Sequence, residues 1–259
     1  MENRINQPEL SYSCGSGEAK VNLATGRLIF SYLDQSIGID NYKIGLTHIY
    51  NSQMPTSINT FIGTNWKLNI QHYLYLENGK YIYIDGVGNK HEFLLLNGNK
   101  YYDSSGLGLT LTIEAGTFKI TDGAGNIMEF QSGRLVRTVS TYNGTDLITK
   151  YFNYDTSGRL TSVYDGRTYQ NKFILTYDSS TNLLKSIKCM KSSIVIEEIN
   201  YFYNYEKCLL QINRITDGVT KIDSLFSYTQ NNLNQATYLE DMDLGRFLGH
   251  ILVEFDYAK

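Results

Sequence analysis

The chain offers 26 Asp and Glu residues and four His for acid–base or metal chemistry. One acid-bearing pattern occurs twice. Asp85-Gly86-Val87-Gly88-Asn89, followed by Glu92 and Phe93, matches Asp122-Gly123-Ala124-Gly125-Asn126, followed by Glu129 and Phe130, at an offset of 37. The chemistry of such a loop would be calcium binding, which needs oxygen ligands at alternate positions and a bidentate acid at the twelfth. Val87 and Ala124 stand where the second ligand belongs, so a glycine hairpin is the better reading. A glycosidase needs two acids about 5–10 Å apart across a cleft. Glu197 and Glu198 are neighbours, and neighbours on a strand face opposite ways. For these and for the cluster Glu240, Asp241 and Asp243, the expected role is solvated charge that discourages strand-edge pairing. His48, His72, His91 and His250 never come within four residues of one another, whereas a local zinc pair on a strand needs i and i+2. Cys14-Gly15-Ser16-Gly17 lies in a Gly/Ser-rich stretch and reads as loop. No nucleophile elbow, Walker loop or zinc-helix motif is present. The expectation is a protein that is not an enzyme and needs no metal or cofactor.

The second acid pattern is Tyr-Asp. Tyr154-Asp155 leads into Gly158-Arg159-Leu160 and Val163; Tyr177-Asp178 leads into Leu183-Leu184 and Ile187. Tyr205-Glu206 leads into Leu209-Leu210 and Ile212; Tyr228-Thr229 leads into Leu233. Phe255-Asp256-Tyr257 opens a fifth copy. The aromatic spacings are 23, 28, 23 and 27. Such a period marks one supersecondary unit stacked repeatedly. Here the Asp is a turn-maker: its side chain accepts from amides further along the turn, and a Gly or Asn takes the left-handed position. Gly-Arg-Leu also recurs, beginning at Gly26, Gly133 and Gly158.

The elements that carry these turns are short antiparallel strands. Tyr73-Leu74-Tyr75-Leu76, then Glu77-Asn78-Gly79-Lys80, then Tyr81-Ile82-Tyr83-Ile84 is a hairpin signature. Tyr is abundant, at 22 residues against 11 Phe and one Trp, and suits strands. Buried strand packing is the plain reading of the tyrosines; exposed stripes that stack sugar rings are the alternative. Trp66 is the best single candidate for an exposed stacking platform, with packing as the plainer role. The expected architecture is all-β, a curved, twisted antiparallel sheet of successive β-hairpins with roughly 15–20 strands. A piece of this size is expected to leave strand edges open to self-association. The best helical pattern, Leu239 to Leu252, is interrupted by Gly245 and Gly249.

The net charge of −3, without basic clusters, gives no footprint for nucleic acid. No apolar run is long enough for a membrane-spanning helix, and Met1 to Pro8 has no signal-peptide core. Cys189 and Cys208 lie in neighbouring units; free buried thiols are preferred over a disulfide. Asn143-Gly144-Thr145 is a formal glycosylation sequon.

The pattern Y-D-x-x-G-R-L-x-x-V-x-D-x-x-G, met by Tyr154, Asp155, Gly158, Arg159, Leu160, Val163 and Asp165 but not by its last Gly, since Gly166 directly follows Asp165, resembles the Rhs or YD repeats. Val21 to Leu28, Ile49 to Ser52 and Gly63 to Leu68 resemble the leader region of such proteins in Gram-positive bacteria, so the resemblance covers about residues 18 to 259. It departs downstream, where Glu206 and Thr229 replace the Asp. The resemblance implies a bacterial protein, secreted or at the cell surface, whose repeats spiral into a shell that in several members encloses a toxin. It divides the chain into a flexible stretch (1–17), a leader-type β region (18–135) and a Tyr-Asp array (136–259), as a piece of a longer protein. The function expected is a non-catalytic structural segment of a shell wall or extracellular scaffold. Its partners would be other segments of the larger protein or a toxin cargo, and its inner face would be mostly polar. The alternative is a surface adhesion or carbohydrate-binding module that uses exposed Tyr side chains on glycans.

Overall fold

The computed structural model describes residues 9–14, 17–37, 44–142, 146–166, 171–229, 232–239 and 250–254. Every regular element in them is a β-strand, and every pairing is antiparallel. The first sheet is β1 (Glu9–Cys14), β2 (Gly17–Asn22), β3 (Leu28–Ile37), β4 (Ile44–Asn51) and β5 (Trp66–Leu68). The second begins with β6 (Tyr73–Glu77), β7 (Lys80–Ile84), β8 (Lys90–Asn97) and β9 (Lys100–Asp103). It continues through β10 (Thr110–Glu114), β11 (Thr117–Thr121), β12 (Ile127–Gln131), β13 (Arg134–Tyr142) and β14 (Asp146–Tyr154). Then come β15 (Leu160–Asp165), β16 (Asn171–Tyr177), β17 (Leu184–Lys191), β18 (Ile194–Tyr203) and β19 (Leu209–Thr216). It ends with β20 (Val219–Thr229), β21 (Asn232–Leu239) and β22 (His250–Glu254). The 22 strands exceed the number expected because several upstream ones are only three to five residues long.

Each strand of the second sheet pairs with its sequence neighbour, and the sheet closes on itself. Strands β6 to β13 form a ring of eight, sealed where Arg134 pairs with Tyr73 and the Leu74 amide donates to the Gly133 carbonyl at 2.9 Å. A Cβ on Gly133 would stand 2.9 Å from the Leu74 carbonyl oxygen, so the seam needs a residue without a side chain there. The ring closes within the chain, while β1 and β5 of the first sheet each keep one partner among the described residues, in line with the expected open edges.

A β-bulge recurs at one position of successive hairpins. It falls just before Phe130, Tyr154, Tyr177, Tyr203 and Tyr228, which then pair with Leu135, Leu160, Leu184, Leu209 and Leu233. A bulge adds a residue to one strand and increases local twist. Repeated in register, it bends every hairpin the same way and curls the sheet.

The face so curled carries Phe130, Leu135, Phe152, Leu160, Val163, Phe173, Leu184, Ile187, Leu209 and Ile212, all buried. It is apolar because Phe30, Leu46, Tyr50, Trp66 and Leu68 of the first sheet join the same core. The expectation of a mostly polar inner face is corrected accordingly. Glu9–Cys14, expected in a flexible stretch, is strand β1, paired along its length with β2. Strand β13 runs through position 135, and the sheets change between Leu68 and Tyr73. Leu239 and His250 to Leu252, the ends of the best helical pattern, are strand. The sequon at Asn143 and the Phe255 copy lie outside the described residues.

Candidate functional site

The repeated acids build one turn several times over. The Asp85 amide donates to the Asn89 carbonyl at 3.1 Å, and the Gly88 amide to the Asp85 carbonyl at 3.1 Å. Asp85 Oδ1 accepts from the Val87 and Asn89 amides at 3.0 and 2.8 Å, and Oδ2 accepts from Asn89 Nδ2 at 2.8 Å. Asp122 repeats the set with Ala124 and Asn126. Asp155 repeats it with Ser157 and Arg159, whose Nε takes the part of the Asn amide at 2.7 Å. The glycine hairpins and the Tyr-Asp units therefore share one turn. The left-handed position falls on Gly88, Gly125 and Gly158, then on Asn182 and Lys207 in the later copies. Against burial, which works the other way, hydrogen bonds from His91 and Asn89 bring the Asp85 carboxyl down to about 2. Asp178 lies well below the usual carboxylate range through hydrogen bonds from Ser180 and Thr181. Carboxylates held ionised with their lone pairs occupied suit turn-making rather than proton transfer.

The tyrosines join one hairpin to the previous one. Tyr154 Oη donates to the Leu135 carbonyl, Tyr177 to Leu160 and Tyr203 to Leu184, each at 2.8 Å, and Tyr228 to Leu209 at 2.5 Å. Burial raises the phenols of Tyr154, Tyr177 and Tyr203 above their ordinary range. Tyr205 and Glu206, expected in this register, are not in it. Tyr203 makes the bond, and Asn204 replaces the Asp, its Oδ1 accepting from the Cys208 amide at 2.8 Å. Tyr205 is 92% exposed. In Tyr201-Phe202-Tyr203-Asn204-Tyr205, three tyrosines share one strand phase, and only the distance back to Leu184 separates them.

The Gly-Arg-Leu arginines reach forward to the next turn. Arg27 donates to Asn89 Oδ1 at 2.5 Å. Arg134 lies over the Tyr154 ring at 5.9 Å and beside Gly158. Arg159 lies over the Tyr177 ring at 4.9 Å and donates to Asn182 Oδ1 at 3.1 Å. These contacts had no counterpart in the sequence reading beyond the recurrence of the tripeptide.

Where the two sheets meet, polar groups are buried together. Trp66 is fully buried, its ring 4.7 Å from that of Phe226 and its Nε1 donating to Tyr228 Oη at 2.8 Å. It is no platform. His48 Nε2 pairs with Tyr201 Oη at 2.7 Å, and Tyr32 donates to Asp223, which also holds Arg214 at 3.1 Å. Arg214 donates to Glu197 at 2.6 Å, so Glu197 acts apart from Glu198, which pairs with Lys188. Burial, seconded by Arg214, lowers His48 to about 3. Lys67 is also fully buried, donates to the Asp85 carbonyl, and is brought by burial to about 7.

One arrangement has the outline of a nucleophile relay. His91 Nδ1 lies 3.0 Å from Ser105 Oγ, and its Nε2 3.0 Å from Asp85 Oδ2. The Ser105 hydroxyl donates to Asp103, however, and Asp103 also accepts the Ser105 and Leu107 amides at 2.9 and 2.6 Å. A hydroxyl bound to a carboxylate does not give its proton to His91. The group ties the turns after β7 and β9 together.

Among the described residues no three His, Cys, Asp or Glu side chains converge to hold a metal, and no helix is long and apolar enough to cross a membrane. Cys189 and Cys208 are buried and are not joined in a disulfide. Of the described tyrosine side chains only Tyr102 and Tyr205 are exposed, and they do not form a row. A cleft of about 490 Å³ runs between the loop that follows β4 and the turns at Ser157, Thr181 and Lys207.

The profile of a family described as a domain of unknown function (DUF6531) matches residues 18–93, from β2 to the Phe93 pairing in β8. No curated protein sequence matches. Among solved structures, the chain is similar to one in a crystal structure of TcdB2-TccC3-Cdc42, at 15% identity and a TM-score of 0.37, covering 85% of this chain and 12% of that one. The chain thus spans about an eighth of that relative's length, and a likeness at this level carries no functional argument.

Proposed function

We propose that this chain is a non-catalytic structural segment of an Rhs/YD-repeat protein, forming part of the wall of a shell or of an extracellular scaffold. The observation that carries this reading is the series of four tyrosine-to-carbonyl bonds joining successive hairpins. The repeated Asp, Tyr and Gly-Arg-Leu arginine side chains that the turns carry make a turn or join one unit to the next. Stacked units that contact mainly their neighbours build surface area rather than a convergent site. The Tyr-Asp pattern, which resembles the Rhs repeats, supports the same reading. As part of a larger secreted or cell-surface protein, the segment would take further repeats or a toxin cargo as its partners. Among the described residues, the adhesion reading has no row of exposed tyrosines to rest on.

The test is a protease-sensitive reporter fused behind Lys259 in a chain lengthened by further Tyr-Asp units. A wall makes trypsin cleave the reporter much more slowly than the same reporter on a flexible linker. Equal cleavage rates in both settings, with the wall itself folded, would refute the enclosing role.

A further inference from the structure

The ring of strands β6 to β13 is filled within and open at one end. Leu74, Phe93, Leu111, Ile120 and Phe130 fill its interior, all of them buried. Leu76 stands two residues beyond Leu74 on β6, and Leu95 two beyond Phe93 on β8, so both keep the inward phase. They are nevertheless 61% and 62% exposed. Leucines that point inward and stay in water mark a ring end that no described residue caps.

Just inside this opening lies a cup of about 360 Å³, at the small end of the range for ligand sites. Leu74 and Phe130 form its floor; Leu76, Tyr81 and Phe118 form its sides. A ring of eight strands encloses room for side chains or for one small ligand, and the last layer of side chains here leaves that room open.

The lining narrows the occupant. It contains no charged side chain, so an ion would lose its water without gaining a partner. The buried layer beneath is shut, so a long alkyl chain finds no tunnel. The backbone around the opening turns back in hairpins at Asn78-Gly79, Ala115-Gly116 and Ser132-Gly133, and so offers no strand edge to a polypeptide. Tyr81 and Phe118 lie with ring centres 5.7 Å apart at 59°, the tilted approach that aromatic rings prefer to a face-to-face sandwich. A third ring can enter on the same terms. Tyr75 already accepts from Ser57 at 2.9 Å. Among the described residues, the hydroxyls of Tyr81 and Ser132 make no bond to protein. We propose that this cup binds a small neutral aromatic compound, of one or two fused rings, that carries one hydrogen-bond donor. The rings lie against Tyr81 and Phe118, and the donor meets the Ser132 hydroxyl.

The test titrates the whole chain with indole by calorimetry. Three comparison compounds accompany it: indene, with the shape but not the N–H; 1-octanol, an alkyl chain; and N-acetyltryptophanamide, the same ring carried by a peptide. Leu76→Trp fills the cup from a largely exposed position, and Ser132→Gly removes the hydroxyl where φ is +48, a backbone that glycine adopts freely, so the fold is kept in both. Indole should bind, and Leu76→Trp should weaken it at least tenfold. Ser132→Gly should weaken indole roughly threefold to tenfold and leave indene unchanged. The proposal falls if indole does not bind, if it binds no better than indene, or if Leu76→Trp leaves its affinity unchanged. Tighter binding of 1-octanol would assign the cup to alkyl chains, and tighter binding of the tryptophan amide to a polypeptide; either result overturns the proposal.

Discussion

Gly88, Gly125 and Gly158 occupy the same left-handed position of the same turn, at φ of 85, 83 and 77. They differ in what a methyl group would meet, so Gly→Ala at the three sites separates backbone strain from contact. At Gly125 an added Cβ meets nothing within 4 Å. The cost there is the left-handed conformation, about 1–2 kcal/mol, less about 0.4–1 kcal/mol from the stiffer unfolded chain, so about 1 kcal/mol net. At Gly158 the Cβ would stand 2.0 Å from an Arg134 nitrogen. The guanidinium must leave the Tyr154 ring, which adds about 0.5–1 kcal/mol. At Gly88 it would stand 2.9 Å from Asn51 Nδ2 and 3.0 Å from Met54 Sδ. Asn51 is fully buried and donates to the Val87 and Gly88 carbonyls. Pushing it aside strands buried polar groups and adds about 1–3 kcal/mol. The expected order of destabilisation is Gly125, Gly158, Gly88, at about 1, 2 and 3 kcal/mol, read from urea unfolding monitored by circular dichroism. In an Arg134→Ala background the Gly158 penalty should fall to that of Gly125. Equal losses at all three sites, or a Gly158 penalty indifferent to Arg134, would falsify the shared-turn account.

Two further outcomes follow. Tyr203→Phe leaves the Leu184 carbonyl without its donor and should cost about 1 kcal/mol, whereas Tyr205→Phe should cost nothing measurable; the reverse result would restore the Tyr205 register. His48 and His72 are both held by burial at about 3, below the ordinary 6.5. As pH falls the unfolded chain takes up these protons first, so stability present above about 6.5 is lost toward pH 3, at up to about 2.7 kcal/mol per pH unit. Lys67, lowered from 10.5 to about 7, makes stability rise over that interval. His48→Gln should halve the acid slope and Lys67→Met should flatten the alkaline one, read from unfolding midpoints across pH. Unchanged slopes would mean that these groups are hydrated in the folded state.

The turn chemistry was legible in the sequence because it is local: Asp, a left-handed residue and the next donor lie within five positions at Asp85, Asp122 and Asp155. That the three are one turn was hidden, since Asn89 and Arg159 supply the same donor from unlike side chains. The register of the third Tyr-Asp unit was lost for a related reason. Asn204 keeps the acceptor while dropping the charge, and Tyr205 supplies a false match. The spacing of Leu135, Leu160, Leu184 and Leu209, at 24–25 residues, was the steadier signal. The burial of Trp66 was beyond local reasoning, because Phe226 and Tyr228 lie some 160 residues downstream. The inner face looked free for the same reason: nothing short-range says that the first sheet will lie on it.

The hydroxyls of Tyr154, Tyr177, Tyr203 and Tyr228 are each satisfied by a carbonyl made earlier in the chain. A chain synthesised from its N-terminus therefore always has the acceptor in place before the donor emerges. Trimming hairpins from the C-terminal end leaves every remaining hydroxyl of the ladder satisfied; trimming from the other end orphans the next one at each step. The stack has a direction of growth written into its hydrogen bonds, and extension at its downstream end disturbs none of those already formed.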